Sequence, residues 1–209
     1  MTWAPDYAAS TDFKAYLGID DDDDDVELAL ALTAASRAID RHTRRQFGVV
    51  AAPEARYYAA RWSRTLGVWL VAIDDLQSTM GLVVKLDTAG DATYTTTISA
   101  GDYVLRPRNA VAKSDVWTEL MVRADATNQP DGTDGEFEIT APWGWTAFPD
   151  AVVQACLLQA SRVFKRKGAP FGIAGSPDTN GGSEMRLLAK VDPDVAVALD
   201  LYRKRARPQ

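Results

Sequence analysis

The period of the hydrophobic positions changes twice along the chain. Leu28, Leu32, Ala35 and Ile39 recur at spacings of four, three and four, one face of a 3.6-residue period. They predict a helix from about Asp24 to Phe47, stopped by Gly48. Ahead of it, Ser10 or Thr11 can cap a short helix that runs to Leu17 and ends at Gly18. From Glu54 to Ala141 the period shortens to two. Trp69, Val71 and Ile73 alternate, as do Leu82, Val84 and Leu86, and Phe137 and Ile139 sit between Glu136 and Glu138. Turn-forming clusters at Thr88–Asp91 and Gln129–Gly135 separate these runs, so about six or seven short strands are expected in a small antiparallel sheet or barrel. After Pro149 the helical period returns, with Val153, Leu157, Ala160 and Phe164 in one stripe and Gly168 as the stop. Residues 169–182 are rich in Gly, Pro and Ser and predict a mobile arm. A last helix starts near Asp192-Pro193 and carries Val195, Leu199 and Tyr202 on one side.

The expected fold is therefore α+β. A core of about four to five helices is drawn from both chain ends, with an antiparallel β-rich subdomain inserted between them. The boundaries are residues 1–53 for the N-terminal helices, 54–141 for the insertion, 142–168 for a core helix, 169–182 for the arm, and 183–209 for the C-terminal helix and basic tail, all in one structural unit.

Composition narrows this picture. The chain has 209 residues, 46% of them apolar, ample for one core. Its formal net charge of −6 gives no global basic field to draw it to nucleic acid or an acidic membrane. The charge is uneven: acids crowd the first thirty residues, and bases gather at Arg37–Arg45, Arg162–Lys167 and Arg203–Arg207. Cys156 is the only cysteine, so no internal disulfide can form. MTWAPDYAAS has no signal-peptide features, and the longest apolar run, Gly67–Ile73, is far below the ~20 residues of a membrane helix. A soluble protein of a cytoplasm-like compartment is expected.

Candidate chemistry is sparse. The run of aspartates from Asp20 to Asp25 lacks the Gly and Glu that a calcium loop needs at its sixth and twelfth positions. The preferred reading is a helix entrance, with Asp24 or Asp25 as the cap and the earlier aspartates solvated. His42, the only histidine, continues the Leu28–Ile39 stripe and suits packing or capping better than a catalytic triad. Cys156 lies within an apolar helical face, where thiols are inert. Asp74 and Asp75 could pair as carboxylates, but a polar strand end is the commoner use. No phosphate loop, nucleophile elbow or dinucleotide fingerprint is present. Arg37, Arg41, Arg44 and Arg45 could contact phosphate; charge complementation at a helix end together with protein–protein ion pairs is preferred. Trp143 and Trp145 could stack on bases, but packing is the simpler role. The chain is expected to be neither an enzyme nor a cofactor or metal binder.

Three stretches taken together carry a resemblance: DFKAYLGID with VELALALTAASRAIDRHTRRQFG, then WGWTAFPDAVVQACLLQASRVFKRKG, then LLAKVDPDVAVALDLYRKR. In order and spacing the pattern resembles the head–tail connector (adaptor) proteins of long-tailed double-stranded DNA bacteriophages, over about residues 10–48 and 142–205. The resemblance implies a structural protein of the virion neck, present in the host cytoplasm during assembly. It implies a ring of about a dozen copies docked beneath the portal protein, with duplex DNA passing through its lumen. It also implies head-closure or tail-side neck proteins as further partners, and no membrane. On that basis Asp20, Asp21, Asp22, Asp23, Asp24 and Asp25 are expected to face the channel; the family's acidic run is usually shorter. Phe171, Ile173, Arg203, Lys204 and Arg205 are expected at the portal, and Arg37, Arg41, Arg44 and Arg45 between subunits. Alternatives are a head-closure stopper or tail-completion protein, or a nucleic-acid-binding regulator using Arg37–Arg45.

Overall fold

The computed structural model describes residues 3–166, 173–174, 185–186 and 191–204. It mixes helices with antiparallel sheets and divides into two compact units, where the sequence suggests one. The division follows from two separate sets of inward-facing residues. One unit comprises residues 5–45 and 148–209; the other comprises 1–4 and 46–147.

The first unit is helical. Helix α1 spans Ser10–Leu17, α2 Asp25–Thr43, α3 Asp150–Lys165 and α4 Pro193–Leu199. The stripe Leu28, Leu32, Ala35 and Ile39 is fully buried, and α2 packs against α3. On α3 the buried face is Val152, Ala155, Cys156, Leu157 and Ala160, with Gln159 and Ser161 buried beside it. Val153 and Phe164, expected in that stripe, are half-buried. Phe13 of α1 is buried and meets Phe164 edge-on at 6.5 Å.

Helix ends depart from expectation in instructive ways. Ala9, not Ser10 or Thr11, is the N-cap of α1, while Gly18 closes it in a left-handed conformation. Helix α2 stops at Thr43 and not near Phe47. Arg44 adopts φ 56°, and its N–H donates to the Asp40 carbonyl at 2.7 Å. Thr43 Oγ1 donates to the Ile39 carbonyl at 2.8 Å, satisfying another terminal acceptor. Pro149 caps α3 from outside the helix. Asp192 caps α4, its carboxylate accepting Asp194 N–H at 2.8 Å, and Pro193 fills the first turn. Of the predicted arm, only Ile173–Ala174 is described; it forms strand β9, paired antiparallel with β10, Met185–Arg186.

The second unit contains eight strands: β1 Glu54–Tyr58, β2 Ala60–Ser63, β3 Val68–Leu76, β4 Val83–Leu86, β5 Thr96–Thr97, β6 Tyr103–Arg106, β7 Trp117–Val122 and β8 Phe137–Ala141. They form two four-stranded antiparallel sheets, ordered β1-β8-β4-β5 and β2-β3-β7-β6, where the sequence suggests one sheet or barrel. The chain passes from one sheet to the other at Ala59, between β1 and β2. Inward residues of both sheets, including Val71, Ile73, Val84, Leu86, Leu120, Phe137 and Ile139, share one core. Burial of one such side chain contributes about 1.5–3 kcal/mol, which is what the period-two pattern secures.

Candidate functional site

The aspartate run forms the turn between α1 and α2. Lys14, one turn before the end of α1, reaches over it: Nζ lies 2.6 Å from Asp22 Oδ1 and 2.7 Å from Asp25 Oδ1. The hydrogen bond to Asp22, then that to Asp25, holds the Lys14 ammonium well above the usual lysine range. The same contact holds Asp22 below the usual carboxylate range. Asp23 N–H donates to Asp21 Oδ1 at 3.2 Å, so the turn is braced internally. Asp24 occupies the N-cap of α2, but its side chain makes no capping bond; its carbonyl accepts Leu28 N–H at 2.9 Å. Asp20, Asp21 and Asp23 are exposed. The run thus divides into Asp22 and Asp25, which contact a cation while staying exposed, and Asp20, Asp21 and Asp23, exposed outside that pairing.

The expected arginine face is only partly at the surface. Arg37 donates to the Pro5 carbonyl at 2.6 Å, pairs with Asp40 at 3.1 Å and lies over the Tyr7 ring. Tyr7 hydroxyl bonds the same Asp40. Burial pushes the Asp40 carboxyl up, against the opposing pull of Tyr7 and Arg37. Arg45 Nε donates to the Tyr202 carbonyl at 2.6 Å. Arg41 and Arg44 are exposed.

The C-terminal segment is fastened to the same helix. Lys204 N–H donates to the Thr43 carbonyl at 2.8 Å, in register with the Arg45–Tyr202 contact. Arg203 is exposed and Lys204 half-buried. Ile173 lies in β9, whereas Phe171 and Arg205 lie outside the described residues.

None of the catalytic candidates assembles into a reactive group. Cys156 is fully buried, and burial raises its thiol pKa. Its Sγ lies 3.4 Å from Ser36 Oγ, which accepts Tyr7 N–H and bonds the Leu32 carbonyl. These partners are each other and main chain, not His42, which sits half-buried in the last turn of α2. Among the described residues, no three metal-ligating side chains converge. No helix among them is long and apolar enough to cross a membrane.

In the β unit, Asp74 and Asp75 lie within β3 at a register shift against β7, not at a strand end. Arg56 Nη1 and the Tyr58 hydroxyl both donate to Asp74, at 2.7 and 3.2 Å. Asp75 is buried and accepts Trp145 Nε1–H at 3.1 Å. Trp143 and Trp145 are fully buried; Trp143 donates to the Glu54 carbonyl at 2.9 Å and Trp145 packs against Phe47. They are core residues and offer no face to a base.

Two features escape a reading that follows only the buried stripe. Val26 and Leu30 of α2 lie off it and are 73% and 65% exposed. The β2–β3 hairpin carries Trp62 and Leu66 at 46% and 50% exposure, beside exposed Arg61 and Arg64. The sequence signal was available: large apolar residues at helical positions outside the core face, and RWSRTLG at a turn. No family model matches the chain, and no curated protein matches it.

Proposed function

We propose that this protein is a structural component of a phage virion neck. In this reading it is a head–tail connector that forms a ring of about a dozen copies beneath the portal, leaves a channel for duplex DNA, and offers a platform for head closure and tail attachment. The observation that carries the reading is the braced acidic turn, with Asp20, Asp21 and Asp23 exposed at the entrance of a helix whose opposite face is fully buried.

Duplex DNA carries one negative charge per ~1.7 Å of axis. A basic wall would hold it; an acidic wall repels it over roughly 8 Å at physiological salt and lets it slide. Repeating the run around a ring of about a dozen copies multiplies a modest local charge into a belt of on the order of seventy carboxylates. Lys14 lowers the net charge of each turn while fixing its shape, which suits a wall better than a solvated tail. The buried, internally bonded Cys156 fits a molecule used for shape and surface charge. Arg203, with Phe171, Ile173, Lys204 and Arg205, is assigned to the portal side in this proposal, and Arg41 and Arg44 to contacts between subunits.

A second reading is a head-closure or tail-completion protein, which the two four-stranded sheets of the β unit favour. Images of purified particles decide between them: a ring of this chain directly beneath the portal is expected, and its absence there would refute the connector role. In particles with Asp20–Asp25 replaced by Asn, folding is expected to persist while DNA retention or ejection changes. Unaltered packaging and release would remove the channel assignment.

A further inference from the structure

Val26 and Leu30 lie one turn apart on the same side of α2, and both are mostly exposed. A helix whose other face meets water ordinarily places polar residues there, and adjacent exposed apolar side chains mark a surface made for contact. The turn that leads into them holds Asp20, Asp21 and Asp23, exposed and outside the Lys14 pairing.

The β unit carries a complementary surface. At the β2–β3 hairpin, Trp62 and Leu66 expose about half of their surface. Arg64 lies in the turn and Arg61 on the opposite face of β2 from Trp62; both are exposed, and neither is in an ion pair among the described residues. The tip is well ordered by its own bonds. Trp62 packs edge-on against Trp69 at 5.3 Å, Gly67 N–H donates to the Ser63 carbonyl at 2.8 Å, and Leu66 N–H reaches Ser63 Oγ at 3.4 Å. A hairpin that exposes an apolar pair and two arginines thus offers charge opposite to the three aspartates that lead into the Val26–Leu30 face.

We infer that the β2–β3 hairpin of one copy docks on the Val26–Leu30 face of α2 in the next copy, with Arg61 and Arg64 against the Asp20–Asp23 turn. The occupant is a second copy of this chain, because both halves of the match, apolar and charged, are encoded in the same polypeptide. The two surfaces differ, so the contact is head-to-tail, the geometry that closes into a ring or propagates. This inference rests on the ring reading above and names its subunit contact. It shifts that contact away from Arg37 and Arg45, which are bonded inside their own unit. It also draws Asp20, Asp21 and Asp23 into the seam between subunits, where the ring reading alone leaves them at the channel wall.

The test uses the full chain. Self-association is measured by sedimentation velocity over a concentration series, with near-ultraviolet circular dichroism to verify folding. Arg61→Glu with Arg64→Glu is expected to weaken association by about tenfold or more, since like charges then meet across the seam. Adding Asp20→Lys, Asp21→Lys and Asp23→Lys to the same chain is expected to restore it. Unchanged association in the arginine variant, or a wild type that remains monomeric throughout, overturns the contact. A chain carrying both Leu30→Cys and Leu66→Cys is expected to oxidise into a ladder extending beyond dimers; oxidation that stops at dimers also overturns it. Particle images separate the two ideas. Necks that contain the chain without a ladder leave the neck reading standing and remove this contact. A ladder with charge-swap rescue but no chain in the neck does the reverse.

Discussion

Replacing Gly144 with Ala tests how the β unit is closed. Gly144 has φ +114°, a conformation essentially reserved for glycine, so a side chain there costs about 1–3 kcal/mol in backbone strain alone. A Cβ would lie 1.9 Å from the Gly48 carbonyl oxygen, whereas real Cβ atoms stay at least 3.0 Å away. The two main-chain segments must therefore part by about 1.1 Å (3.0 less 1.9), and no side-chain rotation can relieve this. That movement acts on the Trp145 N–H bond to Gly48 O, 2.9 Å, and on the Gly144 N–H bond to Asp75 O, 2.7 Å. Each such bond contributes about 0.5–1.5 kcal/mol net. The sum is roughly 2–6 kcal/mol, a large share of a typical folding free energy. Urea unfolding followed by tryptophan fluorescence is the direct assay, because the fully buried Trp143 and Trp145 flank the site. A fall in melting temperature of roughly 4–24 °C should accompany it, at about 2–4 °C per kcal/mol for a chain of this size. Gly67→Ala is the matched control: its φ is +63°, but nothing lies within 4 Å of the added carbon. If the Gly144 variant loses no more stability than the Gly67 variant, the close approach to Gly48 is not what holds this segment.

Two further predictions concern titrating groups. Glu136 is buried; burial pushes its carboxyl up, against the pull of main-chain N–H donors from Asp131, Ala60 and Gly132. The native state then binds the proton more tightly than the unfolded chain, in which Glu titrates near ~4.3. Stability should fall as pH rises from that value through the native midpoint and level off above it; Glu136→Gln should flatten this segment and cost about 1–3 kcal/mol by turning an amide toward those donors. A stability–pH curve identical to wild type would remove Glu136 as its source. Lys14→Ala should return the Asp22 midpoint upward toward the ordinary value of ~3.9, read from side-chain carboxyl resonances. The Lys14–Asp22 tie is present above that ordinary value, is lost as pH falls through the depressed native midpoint, and is lost again when Lys14 deprotonates at high pH. An unmoved midpoint would show that Lys14 does not brace the turn.

The connector proposal and the hairpin contact make different demands on the molecule. The first needs a charged wall and a folded helical unit. The second needs Val26, Leu30, Trp62 and Leu66 to leave water on assembly. Helix α2 serves the second by keeping a smaller apolar side, Val26 and Leu30, apart from the one it buries in its own unit.

Sequence periodicity alone determined which side of α2, of β3 and of α4 turns from water. The Leu28–Ile39 stripe, the alternation through Val71 and Ile73, and the Asp192-Pro193 start of α4 all stand where the pattern puts them. Those are local properties, because side-chain direction repeats with the backbone. Only the tertiary structure decided which partners those sides meet. Helix α2 stops at Thr43, not near Phe47, since the following segment is taken up by distant main chain: Val50 N–H donates to the Trp143 carbonyl at 3.0 Å and Trp145 N–H to the Gly48 carbonyl. The strands divide into two sheets because pairing joins β1 to β8 and β3 to β7 across long stretches of chain. In the acidic run, composition cannot say which aspartates lie near Lys14; the turn at Gly18 and Ile19 brings Asp22 and Asp25 to it and leaves Asp20, Asp21 and Asp23 outside that pairing. Period is written residue by residue, whereas partnership depends on where the chain returns, and that return is what the folded structure alone supplies.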